Sequence, residues 1–282
     1  MHMPDRFLHK LRLFILGVTA VGIAGVHGAT ANRDCAKQRG IIPSPYFDFN
    51  NAKVFYFNDQ SSLDPFEIVN CPSGVSVENG QLILSQANKD CSPTLRYPQY
   101  LPEGGMWEMN MNIVDSTGII TAFVLYGREK DNPALGSPDE IDWEFSGWNK
   151  TLGQTIYYVK GQYVKGDNDQ CPISAQPNEV DFSKPANTFG IEYSKDHISW
   201  WLNGVPRRTV TKGMRDKFPS DVGSMYFGLW DGSANSAWAG PPADYSRGPF
   251  RAFINWIRYS PYLAGGSRPP AQGGQGGSDD QY

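Results

Sequence analysis

One hexapeptide, Asp139-Glu140-Ile141-Asp142-Trp143-Glu144, restricts the fold more than any other part of the chain. In an extended strand successive side chains point to opposite faces. Glu140, Asp142 and Glu144 therefore share one face, and Ile141, Trp143 and Phe145 share the other. Like charges side by side on a strand are destabilising unless their face is open to water or used for chemistry. A solvated edge strand would satisfy the first condition. The weight of the apolar half argues instead for a buried core face, which makes the acidic half the working face of a packed sheet.

The rest of the chain is written in the same period. Val75 to Val77 and Gln81 to Leu84 flank Asn79-Gly80, and Ile198 to Leu202 and Val205 to Val210 flank Asn203-Gly204. Both read as hairpins with two-residue turns. Trp107 to Val114, Ile119 to Tyr126, Thr155 to Val159, Phe189 to Tyr193, Met225 to Trp230 and Phe250 to Tyr259 read as further strands. No long helical periodicity follows the N-terminal segment. The expected class is all-β, two packed antiparallel sheets in a sandwich or jelly roll.

Residues 1–31 have the layout of a secretory signal peptide. Arg6, Lys10 and Arg12 precede an apolar run from Leu13 to Val26, and small residues follow up to Ala31. The run is too short for a comfortable membrane span, so no membrane association is expected after cleavage. Residues 32–263 are assigned to one catalytic domain and 264–282, rich in Gly, Ser, Pro and Gln, to a flexible tail. The tail ends without an apolar stretch, so no lipid-anchor signal is expected and the destination is the extracellular space or the cell wall. Four cysteines in an exported chain predict two disulfides, Cys71 with Cys91 and Cys35 with Cys171. Asn149-Lys150-Thr151 is a glycosylation sequon.

Function is narrowed by what the mature chain lacks. A net charge of −4 gives no footprint for nucleic acid. With residues 1–31 removed, His197 is the one histidine left, so a multi-imidazole zinc site is excluded, and His197 reads as the first residue of a strand. No cofactor or metal is called for, and a monomer is expected. What remains is carboxylate chemistry. Spacing alone leaves open which two of Glu140, Asp142 and Glu144 form a reacting pair, because a straight strand sets residues four apart at roughly 13 Å. Aromatic residues suited to stacking on sugar rings are Trp148, Tyr157 or Tyr158, Trp230 and Trp238. Gly228, between Tyr226 and Trp230 on one face, is expected to leave room for something flat.

The acidic hexapeptide resembles the signature of glycoside hydrolase family 16, and within it the fungal Crh-type transglycosylases and then the plant xyloglucan endotransglycosylases. Gln154 to Gly161, Ser199 to Gly204, Gly228 to Trp230 and Trp238 to Gly240 resemble further segments of the family. Ile156 departs from it, standing where an Asn is expected. The resemblance implies a β-jelly roll with an open cleft for a β-linked polysaccharide. It implies Glu140 as nucleophile, Asp142 as assisting carboxylate and Glu144 as general acid/base. Gln154, Tyr157, Lys160, Trp148, Trp230 and Trp238 are then the candidate substrate contacts.

Overall fold

The computed structural model describes residues 47–163, 181–184, 186–213 and 217–263. The expected signal peptide at 1–31, Cys35, Cys171 and the expected tail at 264–282 lie outside the described residues. Fifteen strands are present among those described. They are β1 Lys53–Tyr56, β2 Glu67–Asn70, β3 Val75–Glu78, β4 Gln81–Gln86, β5 Thr94–Tyr97, β6 Gly105–Asn112, β7 Ile119–Tyr126, β8 Glu140–Ser146, β9 Gln154–Val159, β10 Gln162–Tyr163, β11 Asn187–Tyr193, β12 His197–Leu202, β13 Val205–Thr211, β14 Ser224–Asp231 and β15 Phe250–Ser260.

Two antiparallel sheets form a sandwich. One runs β10-β9-β8-β7-β14-β5-β2; the other runs β13-β12-β11-β6-β15-β4-β3, with β1 on the remaining length of β15. The acidic strand β8 is thus the third strand of the seven-stranded sheet, paired on both edges. Both Asn-Gly turns form as expected, with positive φ at Asn79, Gly80, Asn203 and Gly204. Positive φ at Lys160 and Gly161 makes a third two-residue turn between β9 and β10.

The alternation in β8 sorts as the sequence predicts. Ile141, Trp143 and Phe145 are fully buried between the sheets. The Trp143 ring stacks on Phe145 at 5.3 Å, and Phe145 packs against Phe189 of the second sheet at 4.4 Å. Two indoles join the layers through β8 itself. Trp143 Nε1 donates to the Gly190 carbonyl at 2.8 Å, and Trp200 Nε1 donates to the Asp142 carbonyl at 2.8 Å. Buried aromatic burial and satisfied indole N–H groups together hold β8 to the opposite sheet. Cys71 and Cys91 are disulfide-bonded across the base of the β3–β4 hairpin, as expected.

Candidate active site

Asp139 fixes where the acidic row begins. It is fully buried, and its carboxylate accepts the backbone N–H groups of Lys160 at 2.8 Å, Ser220 at 2.7 Å and Asp221 at 3.2 Å. It is a structural anchor at the mouth of β8. The three carboxyls that follow share the outer face of the sheet, and each is flanked by one residue from β7 and one from β9. Glu140 lies between Tyr126 and Tyr158, Asp142 between Val124 and Ile156, and Glu144 between Ala122 and Gln154.

Those neighbours make three like residues chemically unequal. Asp142 is 2% exposed, with apolar side chains on both sides, while Glu140 and Glu144 open partly to the cleft. Burial first, then the charges of Glu140 and Glu144, pushes Asp142 well above the ordinary aspartate range. Glu140 and Asp142 act on each other in opposite directions, their contact lowering Glu140 and raising Asp142, so Asp142 is the one driven toward its protonated form.

The two ends differ in how their anions are supported. Burial raises Glu140, and three groups oppose it: the charge of Lys130, the Tyr126 hydroxyl, which donates to Glu140 Oε1 at 2.9 Å, and the neighbouring Asp142 carboxyl. Burial and the charge of Glu140 push Glu144 up to about 8, opposed by Trp230, whose Nε1 donates to Glu144 Oε1 at 3.3 Å. At neutral pH one end of the row favours the proton and the other is equipped to be an anion. A proton donor and a carboxylate nucleophile on one face are the requirements of retaining glycosyl transfer.

The candidate tryptophans gather at the Glu144 end. Trp238, on the short helix Ser236–Ala239, lies 5.8 Å from Trp230 with planes tilted by 33°. Ser146 Oγ, at the end of β8, donates to the Ala239 carbonyl at 3.2 Å and ties this helix to the acidic strand. Trp148 is 60% exposed, and its ring occupies the space a side chain at Gly240 would need. Gln154 lies beside Glu144 on the same face.

One expected contact, Tyr157, is corrected, and a second, Lys160, has a structural partner. Tyr157 pairs with Ile141 and is 1% exposed in the core, near Trp200; the tyrosine on the carboxylate face is Tyr158. Lys160 is a left-handed turn residue whose ammonium is held by Glu129 at 2.6 Å, with Asp139 at 3.9 Å, so its charge is engaged in fixing the turn. Gly228 also has a different reason from the one expected. A Cβ there would come within 2.6 Å of the Pro93 carbonyl, so glycine permits the close approach of the neighbouring chain and opens no slot for a ligand.

The sequence reading missed the other end of the cleft. The charged turn Arg128-Glu129-Lys130-Asp131 follows β7, and Asp131 accepts hydrogen bonds from Arg96, Tyr226 and, at 2.9 Å, Ser224. Arg96, Tyr226 and Ser224 lie in neighbouring strands of the same sheet. Four consecutive charges carry no strand or helix period, and their partners are distant in sequence.

Comparison with known proteins decides what this arrangement belongs to. Residues 63–258 match the profile of Glycosyl hydrolases family 16. The chain belongs to this family, whose members are retaining glycosidases and transglycosylases. It is 28% identical over 237 residues to Crh-like protein 5 of Aspergillus fumigatus, covering 80% of this chain and 54% of the relative. It is 30% identical over 157 residues to a beta-glucanase of Paenibacillus macerans, covering 55% of this chain and 59% of the relative. The chain thus spans about half the length of the curated relatives it matches. Among solved structures, the Crh5 transglycosylase in complex with NAG superposes with a TM-score of 0.60 at 25% identity, covering 78% of this chain and 88% of that one. A Bacillus licheniformis beta-glucanase shares the fold at a TM-score of 0.61 and 24% identity, covering 75% of this chain and 99% of that one.

Proposed function

We propose that this glycoside hydrolase family 16 chain is a secreted, retaining transglycosylase acting on a cell-wall β-linked polysaccharide. In this reading Glu140 attacks the anomeric carbon while Glu144 gives its proton to the departing glycosidic oxygen, leaving a glycosyl ester on Glu140. Glu144, now a carboxylate, takes the proton of an incoming sugar hydroxyl, which displaces Glu140 and restores the anomeric configuration. Asp142 holds the proton hydrogen-bonded to Glu140 and eases both the formation and the departure of the ester. Trp230, Trp238, Trp148 and Gln154 contact the glycan on the Glu144 side, and Tyr158 lies beside Glu140.

The observation that carries this reading is the inequality of the row: Glu144 raised to about 8 and Glu140 supported as an anion by Tyr126 and Asp142. Similarity to Crh-like proteins and to a Crh5 transglycosylase supports transfer and a wall glucan or chitin as substrate. Similarity to bacterial beta-glucanases supports the second reading, an endo-hydrolase of β-glucan or xyloglucan with the same residues and water as acceptor. The N-terminal segment and the Cys71–Cys91 disulfide support export.

The test is incubation with β-glucan or chitin donors and a fluorescent oligosaccharide acceptor. Label entering polymer supports transfer. Reducing ends released without label would make the protein a hydrolase, and neither product would leave only a glycan-binding role. Glu140→Gln is expected to abolish turnover while glycan binding persists; turnover within tenfold of the unsubstituted protein would remove Glu140 as nucleophile.

A further inference from the structure

The turn after β7 presents four charges in a row, and three of them are spent. Arg128 is paired with Asp221 at 2.9 Å, Glu129 with Lys160 at 2.6 Å and Asp131 with Arg96. Lys130 is different. Among the described residues no carboxylate lies within ion-pair distance of it. Its ammonium stands 4.4 Å from the centre of the Tyr126 ring and 5.9 Å from that of Tyr226. An aromatic face pins a cation in place without neutralising its charge. The three spent neighbours anchor the turn on both sides, so the ammonium is held in position by the fold.

Below Lys130 is the ring whose hydroxyl donates to Glu140. The groups facing Glu140 are Tyr126 from β7, Asp142 and Glu144 along β8, Tyr158 from β9 and Lys130 from the turn. Lys130 is the one cation among them. Arg96, Arg128 and Lys160, the other described cations at this end of the sheet, each have carboxylate partners. Among the described residues the row of three carboxyls has no other unspent positive charge beside it.

We infer that Lys130 is a positioning residue for the nucleophile: clamped over Tyr126 by the anchored turn, it supplies the counter-charge that keeps Glu140 an anion beside Asp142 and Glu144. This rests on the reading of Glu140 as nucleophile. It adds a residue to the reaction that touches neither the anomeric carbon nor the leaving oxygen and acts through Glu140. The charge also works with the Tyr126 hydroxyl, since a cation over the phenol ring makes its O–H a stronger donor to the same carboxylate.

The experiment is the pH dependence of kcat and kcat/KM for Lys130→Gln and Lys130→Arg, at low ionic strength where a half-buried charge is least screened. Removing a cation raises the proton affinity of a neighbouring carboxylate, so Lys130→Gln is expected to move the acid limb upward by about 1 pH unit. Below that limb kcat/KM falls about tenfold, with KM little changed, and Lys130→Arg restores both the limb and the rate to within threefold. An acid limb that does not move in Lys130→Gln overturns the inference. So does a loss confined to KM, which would make Lys130 a sugar contact, or a failure of Arg to restore the profile. Near-UV circular dichroism of both variants checks the fold, which a half-buried turn residue does not hold together. Glu140→Gln is assayed alongside. If it is dead and the Lys130→Gln limb is unmoved, this inference alone fails; if it turns over, the nucleophile reading fails and takes the inference with it.

Discussion

Glu144→Gln is expected to make the protein less active and more stable, with a stabilisation that depends on pH. A glutamate titrates near 4.5 when free of the fold, whereas burial and the charge of Glu140 push Glu144 up to about 8. When the folded-state value is the higher one, the group favours the folded state while protonated. Its contribution is fully present below about 4.5 and is lost as pH rises toward about 8. Each pH unit in that window costs about 1.4 kcal/mol, so the upper bound at pH 7 is about 3 kcal/mol. Glu144 opens partly to the cleft, and screening by water reduces this to ~1–2 kcal/mol. Gln has nearly the same shape, keeps an oxygen for the Trp230 N–H and cannot ionise. A domain of this size gains about 2–4 °C per kcal/mol, so Tm should rise by roughly 2–8 °C at pH 7 and stay unchanged at pH 4. Thermal unfolding followed by near-UV circular dichroism at half-unit intervals from pH 4 to pH 8 measures it. Equal stabilisation at both ends of that range, or none at either, would refute the electrostatic argument.

Asp142→Asn keeps the shape and a donor toward Glu140 but removes the middle titration. We expect kcat to fall by about 10²–10³ with KM nearly unchanged, and the alkaline limb of the pH–rate profile to become less steep because one of three coupled groups is gone. A normal profile with a raised KM would reassign Asp142 to substrate binding. Cys71→Ser opens a loop with a sequence separation of 20 residues and should cost about 3 kcal/mol in urea unfolding; a loss under 1 kcal/mol would show that the hairpin base is held by packing alone.

How much of this was legible in the sequence depends on whether one strand carried the information or two. β8 declares both of its faces, because acidic and aromatic residues alternate within it, and the Asn-Gly turns declare themselves by the positive φ they accept. β9 does not. Thr155, Tyr157 and Val159 are no more apolar than Gln154, Ile156 and Tyr158, so period-2 reasoning cannot say which tyrosine faces the carboxyls. That is set by the pairing of Glu140 with Tyr158, fixed at one end by the Lys160-Gly161 turn, whose Lys in a left-handed conformation gives no sequence signal. The same holds for Arg128 to Asp131, which reads as a solvated turn. Its partners lie 93, 31 and 35 residues away, across three other segments.

The chemistry of the row was the least legible part, although its three members are plain in the sequence. Nothing in Glu-Ile-Asp-Trp-Glu says which carboxyl holds a proton, because that is decided sideways, by β7 and β9. Val124 and Ile156, 6% and 4% exposed, enclose the middle carboxyl in apolar contact and raise its proton affinity. Ile156 is the position where the family resemblance leads one to expect an Asn. An amide there would offer Asp142 a hydrogen-bonding neighbour and lower the cost of its ionisation. In the proposed mechanism the departure therefore acts on the protonation of Asp142, and through it on how readily a glycosyl ester at Glu140 forms and leaves.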